Sequence, residues 1–147
     1  MVSLREFEDS DAAVLRDGQC PSADMDEVIG LIGSWKEKTY NGRYFEMLAV
    51  TQDGRAVGSV SLLERSPGIV SAGIEIFPDE RRKGYAAEAM RLILARAAEK
   101  GYKGVQDQVA QDNLASRTLH EKVGFETDGY VYTNSRGHDV LIYTYFL

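Results

Sequence analysis

Cysteine is almost absent from this chain, which has one thiol, Cys20, and so cannot form an internal disulfide. That fits a reducing compartment and leads us to expect a cytoplasmic protein. Next to Pro21, Cys20 has no recognisable catalytic partner and reads as an inert thiol. Proline occurs only three times, at Pro21, Pro67 and Pro78, each in a stretch that reads as loop or turn. No apolar run approaches the ~20 residues of a membrane span, and Met1-Val2-Ser3-Leu4-Arg5-Glu6 has no signal-peptide core. Repeats, low-complexity tracts and linkers are missing, and no metal site is expected. Excess positive charge is missing too: the formal net charge is −6, which disfavours a nucleic-acid partner.

What remains is an ordinary globular composition, 44% hydrophobic and 27% charged over 147 residues. One domain spanning 1–147 is expected, large enough to bury a core without covalent staples. Residues 1–73 carry 7 Lys and Arg against 12 Asp and Glu, whereas residues 74–147 carry 10 against 11. An acidic first half suggests a cationic substrate, although acidity that serves only solubility reads the same way.

Along the chain, Val2, Leu4 and Phe7 suggest a first strand, and Asp9 or Ser10 begins a helix that Gly18 would stop. Ser22 or Asp24 caps a second helix, whose Met25, Val28, Ile29, Ile32 and Trp35 recur at helical spacing until Tyr40-Asn41-Gly42. Tyr44 to Thr51, a hairpin at Gln52-Asp53-Gly54, Val57 to Leu63, a turn at Ser66-Pro67-Gly68 and Ile69 to Phe77 form a meander. A helix from Tyr85 to Lys100 and a strand from Val105 to Val109 make a right-handed crossover. Asp112 or Asn113 caps a last helix ending at Gly124, followed by strands over Glu126–Asn134 and Val140–Phe146. The expected fold is a mixed α/β sheet of about seven strands with helices on both faces. The final strand is rich in aromatic and β-branched residues and would make a sticky edge suited to a homodimer.

The chemistry concentrates at Arg81-Arg82-Lys83-Gly84-Tyr85-Ala86, between a strand and a helix. Backbone N–H groups at a helix start, a glycine and flanking cations suit a phosphate, although three adjacent cations also read as a solvated face. The order Arg81-x-x-Gly84-x-Ala86 resembles the acyl-CoA pyrophosphate loop of the GNAT N-acetyltransferases. Downstream, Asn113-Leu114-Ala115-Ser116-Arg117-Thr118-Leu119-His120-Glu121-Lys122-Val123-Gly124-Phe125 resembles that family's N-x-x-S-x-x-x-Y-x-K-x-G-F segment.

The resemblance implies a GNAT fold, acetyl-CoA as cofactor, and acetyl transfer to a primary amine without a covalent enzyme intermediate. It implies that Arg81, Arg82, Lys83, Gly84, Tyr85 and Ala86 hold the pyrophosphate, and that Ile76 and Phe77 backbone atoms hold the pantetheine arm. Asn113 and Ser116 would contact the cofactor from the other side, with a helix cap the alternative for Asn113. Glu75, between two isoleucines, is the candidate base, and burial beside the acyl site would adapt it to that role; a surface carboxylate or an ion-pair partner is the alternative. His120 stands where the family usually has a tyrosine acid, so it reads either as a replacement donor or as a surface histidine. Trp35, Tyr40 and Tyr44 are candidate acceptor contacts, with core packing the alternative. The charge balance points to a small cationic amine, with a protein N-terminus or a non-catalytic acyl-CoA sensor left open.

Overall fold

Alternating apolar positions build one large sheet, and helices of 3.6-residue period cover it on both sides. The computed structural model describes residues 1–147. Its elements are β1 (Ser3–Glu6), α1 (Ala12–Gln19), α2 (Met25–Trp35), β2 (Thr39–Tyr40), β3 (Arg43–Gln52), β4 (Arg55–Ser66), β5 (Ile69–Ile76), α3 (Tyr85–Glu99), β6 (Gly104–Ala110), α4 (Leu114–Val123), β7 (Tyr132–Thr133) and β8 (Asp139–Phe146). The strand order is β1-β3-β4-β5-β6-β8-β7, with β2 paired to β3 off this path. Only β5 and β6 run parallel, joined by the α3 crossover. No helix is long and apolar enough to cross a membrane.

Each sheet face has its own core. Leu48, Val50, Val60, Leu62 and Val70 pack under Met90 and Ile93 of α3 and Val123 of α4. On the other face Ala49, Ala56 and Phe77 pack under Leu15 of α1 and Val28 and Ile32 of α2. The α2 stripe is core at Val28 and Ile32, with Met25 and Trp35 partly buried against them, whereas Ile29 is exposed to solvent; Asp24 caps that helix by accepting from the Glu27 amide at 2.8 Å.

Three local expectations change. Gly18 does not stop α1: the helix continues to Gln19, and the absent side chain makes room for the Phe77 ring, which a Cβ there would overlap. The strand expected over Glu126–Asn134 shrinks to one bridge, Glu126 with Thr144, and the two residues of β7. Thr127 and Asp128 side chains accept from the Gly129 and Tyr130 amides at 3.2 and 2.9 Å, offering the backbone local turns instead of a ladder. Finally, β8 is not a bare edge. It lies between β6 and the short β7, and buries Val140, Leu141 and Tyr143.

One buried charge ties the layers together. The Glu46 carboxylate on β3 is 1% exposed and accepts hydrogen bonds from Arg96 Nε and Nη2 of α3 and from Lys38 Nζ. Burial alone would raise its pKa, but the Arg96 and Lys38 hydrogen bonds and charges outweigh that and bring it from 4.5 down to about 2. A depressed folded pKa means stability that is present above the unfolded value and lost as acid protonates the folded group. Urea midpoints should therefore hold near neutrality and fall between about pH 4.5 and 2, with a loss on the order of 3 kcal/mol from this group. Glu46→Gln should flatten that decline, and an identical acid profile would remove Glu46 as its source.

Candidate active site

The parallel pair β5–β6 holds together at only two positions, Ile69 with Gly104 and Val70 with Val105, and then splays. From Ala72 onward β5 keeps only its β4 partner. The Phe77 amide donates to Val57 O at 2.9 Å, so by ladder alternation the N–H and C=O groups of Ile74 and Ile76 face the gap. The Ile76 carbonyl takes Arg81 Nε at 3.0 Å. Phe77 is committed elsewhere: its carbonyl accepts from the Glu80 amide at 2.8 Å, and its ring is buried against α1.

At the open end of the splay both α3 and α4 begin. Between β5 and α3 the backbone reverses through Arg82 (φ 66°) and Gly84 (φ 83°), two left-handed residues that turn successive amides outward. The amides of Arg82, Lys83, Gly84, Tyr85, Ala86 and Ala87 bond no atom of the protein, and a Cβ added at Gly84 would meet nothing within 4 Å. Free donors facing open space at a helix start are what a phosphate group requires. Arg81 is tied back to the strand end, with Glu75 at 3.5 Å, while Lys83 reaches Glu80 at 3.5 Å. Asn113 caps α4 by accepting from the Ser116 amide at 3.1 Å; its carboxamide NH₂ carries no bond.

The vertex of the splay holds a residue that sequence reading missed. Asp107 lies on β6 between Val105 and Val109, on the core face, where an apolar side chain is the norm. Its Oδ1 accepts the Ala72 amide at 2.8 Å, so a side chain occupies the place of the next main-chain partner and the ladder stops there. Its Oδ2 meets His120 Nε2 at 2.8 Å, and His120 Nδ1 donates to Ser116 O at 2.7 Å. A carbonyl and a carboxylate both accept, so the ring serves both as imidazolium. Burial of the ring opposes that charge, but the hydrogen bonds to Asp107 and Ser116 outweigh it and raise the His120 pKa above the usual 6.5. His120 is thus neither a surface residue nor a donor turned toward the gap. It is 5% exposed, with Phe125 edge-on at 4.7 Å, and both nitrogens are committed. The signal was available: an acid at the middle of an alternating V-Q-D-Q-V strand.

Other expected residues scatter. Glu75 is exposed, its side chain 46% accessible and facing Arg81, so the expected burial is not found. It stands on the α1/α2 face, two residues beyond Gly73, which lines a cavity of about 660 Å³ on that face. Phe45, Ser61, Leu63 and Ser71 also line it, and Ala72 and Asp107 bring it to the vertex. Tyr44 is on the opposite face, packed against Tyr102 with Lys100 over its ring, because strand neighbours alternate. Its neighbour Phe45 takes the cavity wall, and exposed Tyr40 stands 6.0 Å from the Phe45 ring. Trp35 packs on Phe7 at 5.3 Å in the second core.

A gap that exposes strand amides, leads to a loop of unbonded amides and meets a cavity from the opposite face defines a class of group-transfer fold for an extended, phosphate-bearing donor. A sequence model described as the acetyltransferase (GNAT) domain matches residues 2–126. This chain belongs to that family, whose domains use acetyl-CoA. It is 31% identical over 98 residues to the SPbeta prophage-derived uncharacterized N-acetyltransferase YokL of Bacillus subtilis strain 168, a match spanning 65% of this chain and 55% of YokL. A crystal structure of a probable acetyltransferase superposes with a TM-score of 0.82 at 22% identity, covering 99% of this chain and 92% of the other. Vibrio cholerae spermidine N-acetyltransferase, in complex with CoA and spermine, gives 0.76 at 20% identity, covering 99% and 95%. At these identities the two structures establish likeness of fold.

The paired state of His120 can be read directly. Its ¹⁵N-detected titration midpoint should lie above 6.5, and Asp107→Asn should bring it below 6.5 because burial then dominates. The pair's contribution to stability is complete below the unfolded pKa and fades as pH rises through the folded one. A wild-type midpoint at or below 6.5 would mean a neutral ring.

Proposed function

We propose that this protein is an acetyl-CoA-dependent N-acetyltransferase acting on a primary amine. The observation that carries the proposal is the set of unbonded amides from Arg82 to Ala87 at the open end of the β5–β6 splay. They, with Lys83 and the two helix N-termini, would hold the pyrophosphate, and Ile74 and Ile76 would bond the pantetheine arm. The cofactor would supply an activated thioester. Acetylation forms one C–N bond, breaks one C–S bond and moves one proton from nitrogen towards sulfur.

Glu75 is the proposed base: its exposed carboxylate stands on the same face of β5 as Gly73, two residues away, which lines the cavity. His120 is given no acid role, since both nitrogens are occupied, and it acts on the site through Asp107 as a positioning residue. That withdrawal of the histidine favours a second reading, an acyl-CoA sensor without turnover. The open cavity supports the enzyme instead, because a sensor has no use for an acceptor site at the vertex.

Gly84→Glu would put a carboxylate in front of the free amides. Calorimetry should show acetyl-CoA affinity falling by about a hundredfold or more; the added side chain meets open space, but a φ of 83° strains any Cβ, so Gly84→Ala is measured beside it and should lose much less. Undiminished affinity would refute the loop assignment. Glu75→Gln should lower kcat by about a hundredfold near pH 7 while leaving acetyl-CoA binding intact. The deficit should shrink as pH approaches the amine's own pKa, where the base is redundant; a deficit constant with pH would remove Glu75 from proton transfer.

A further inference from the structure

The charge around the acceptor cavity is the reverse of what the acidic first half suggested. Glu6, Asp11, Asp17 and Glu46 spend their charge on Lys38, Arg5, Arg16 and Arg96. Asp107 is the one acid lining the cavity, and its charge is met by His120. Arg65, Arg136 and His138 line the same cavity, and neither arginine forms an ion pair.

Both arginines stand on fixed backbone. Arg65 is near the end of β4, where its carbonyl accepts from Arg43 Nη1 at 2.8 Å and its Nε donates to Ser71 Oγ at 3.1 Å, leaving the two Nη groups free. Arg136 is in the β7–β8 turn, which Asn134 holds by accepting from the Arg136 and His138 amides, both at 3.0 Å. The turn closes with Asn134 N–H to His138 O at 2.9 Å. Two unpaired guanidiniums from different elements thus border one cavity whose inner end reaches the splay vertex.

We propose that the acceptor is a primary amine that also carries an anionic group, a carboxylate or a phosphate, held by Arg65 and Arg136 while its amine reaches the vertex beside Gly73. The inference rests on the acetyltransferase reading and names its substrate class. Guanidinium pairs bind planar or tetrahedral oxyanions by bidentate hydrogen bonds, whereas a polyamine would meet uncompensated like charge.

The test uses matched amines: ethanolamine against ethanolamine phosphate, propylamine against β-alanine, and spermidine as the polycation. Calorimetric binding to the protein, with and without CoA, is read alongside thiol release from acetyl-CoA. One or both anion-bearing members should bind at least about tenfold more tightly than their partners without the anion, and the better pair identifies phosphate or carboxylate. In Arg65→Gln/Arg136→Gln that ratio should collapse to about one, while Arg16→Gln, on exposed α1, should keep it. Preference for spermidine or for the amines without an anion, no binding of either anion-bearing amine, or a ratio unchanged in the double variant would overturn the inference. Binding is read on the protein itself, so a failure to bind acetyl-CoA would defeat the proposed function without silencing this test.

Discussion

The site depends on one carboxylate in the wrong place for a sheet. Parallel strands that begin to pair normally continue, because every buried N–H and C=O needs a partner. Here Asp107 offers the Ala72 amide an oxygen from its side chain and ends the ladder after Val70 and Val105 without leaving that donor unsatisfied. A buried carboxylate is costly alone, and His120, itself held by the Ser116 carbonyl, compensates it. The strands can diverge, and α4 is anchored to the point of divergence. The residue that the resemblance offered as a proton donor is instead part of what shapes the gap.

Splaying turns the sheet into a partition with an opening. On the α3/α4 face, β5 and β6 each lead into a helix, and both helix starts, that of α3 with its unbonded amides, gather at the wide end. On the α1/α2 face the cavity reaches the narrow end. Two ligands approaching from opposite faces would meet only at the vertex, a geometry that aligns reactants and keeps their binding groups apart. An anion is suited to the first face by helix dipoles and free donors. The second face has its own unpaired cations, a demand set by local charge rather than by the net charge of the chain.

Net charge is a poor guide to any one site because ion pairs are local. The surplus of acids before residue 74 includes Glu46, which is buried between Arg96 and Lys38 and binds β3 to α3. A composition counts that carboxylate as a free negative charge, although its field is cancelled within a few ångströms. The few unpaired groups at a cavity wall decide what enters it.

Much was legible in the chain itself. Alternation and helical spacing marked nearly every element, and Gly84, needed where φ is positive, marked the loop whose amides stand free. The Asn113 cap and the α2 stripe were likewise written in local spacing. These features depend on neighbours a few residues apart, and local physics is what a sequence displays. Residue pairs far apart in the chain were not legible. That Asp107 would stop a ladder, that His120 would turn inward to it, that Phe45 rather than Tyr44 would face the cavity, and that Arg65 and Arg136 would border one space all depend on strand register and packing. Those are fixed only when the sheet closes, because a shift of one residue would send every side chain to the other face.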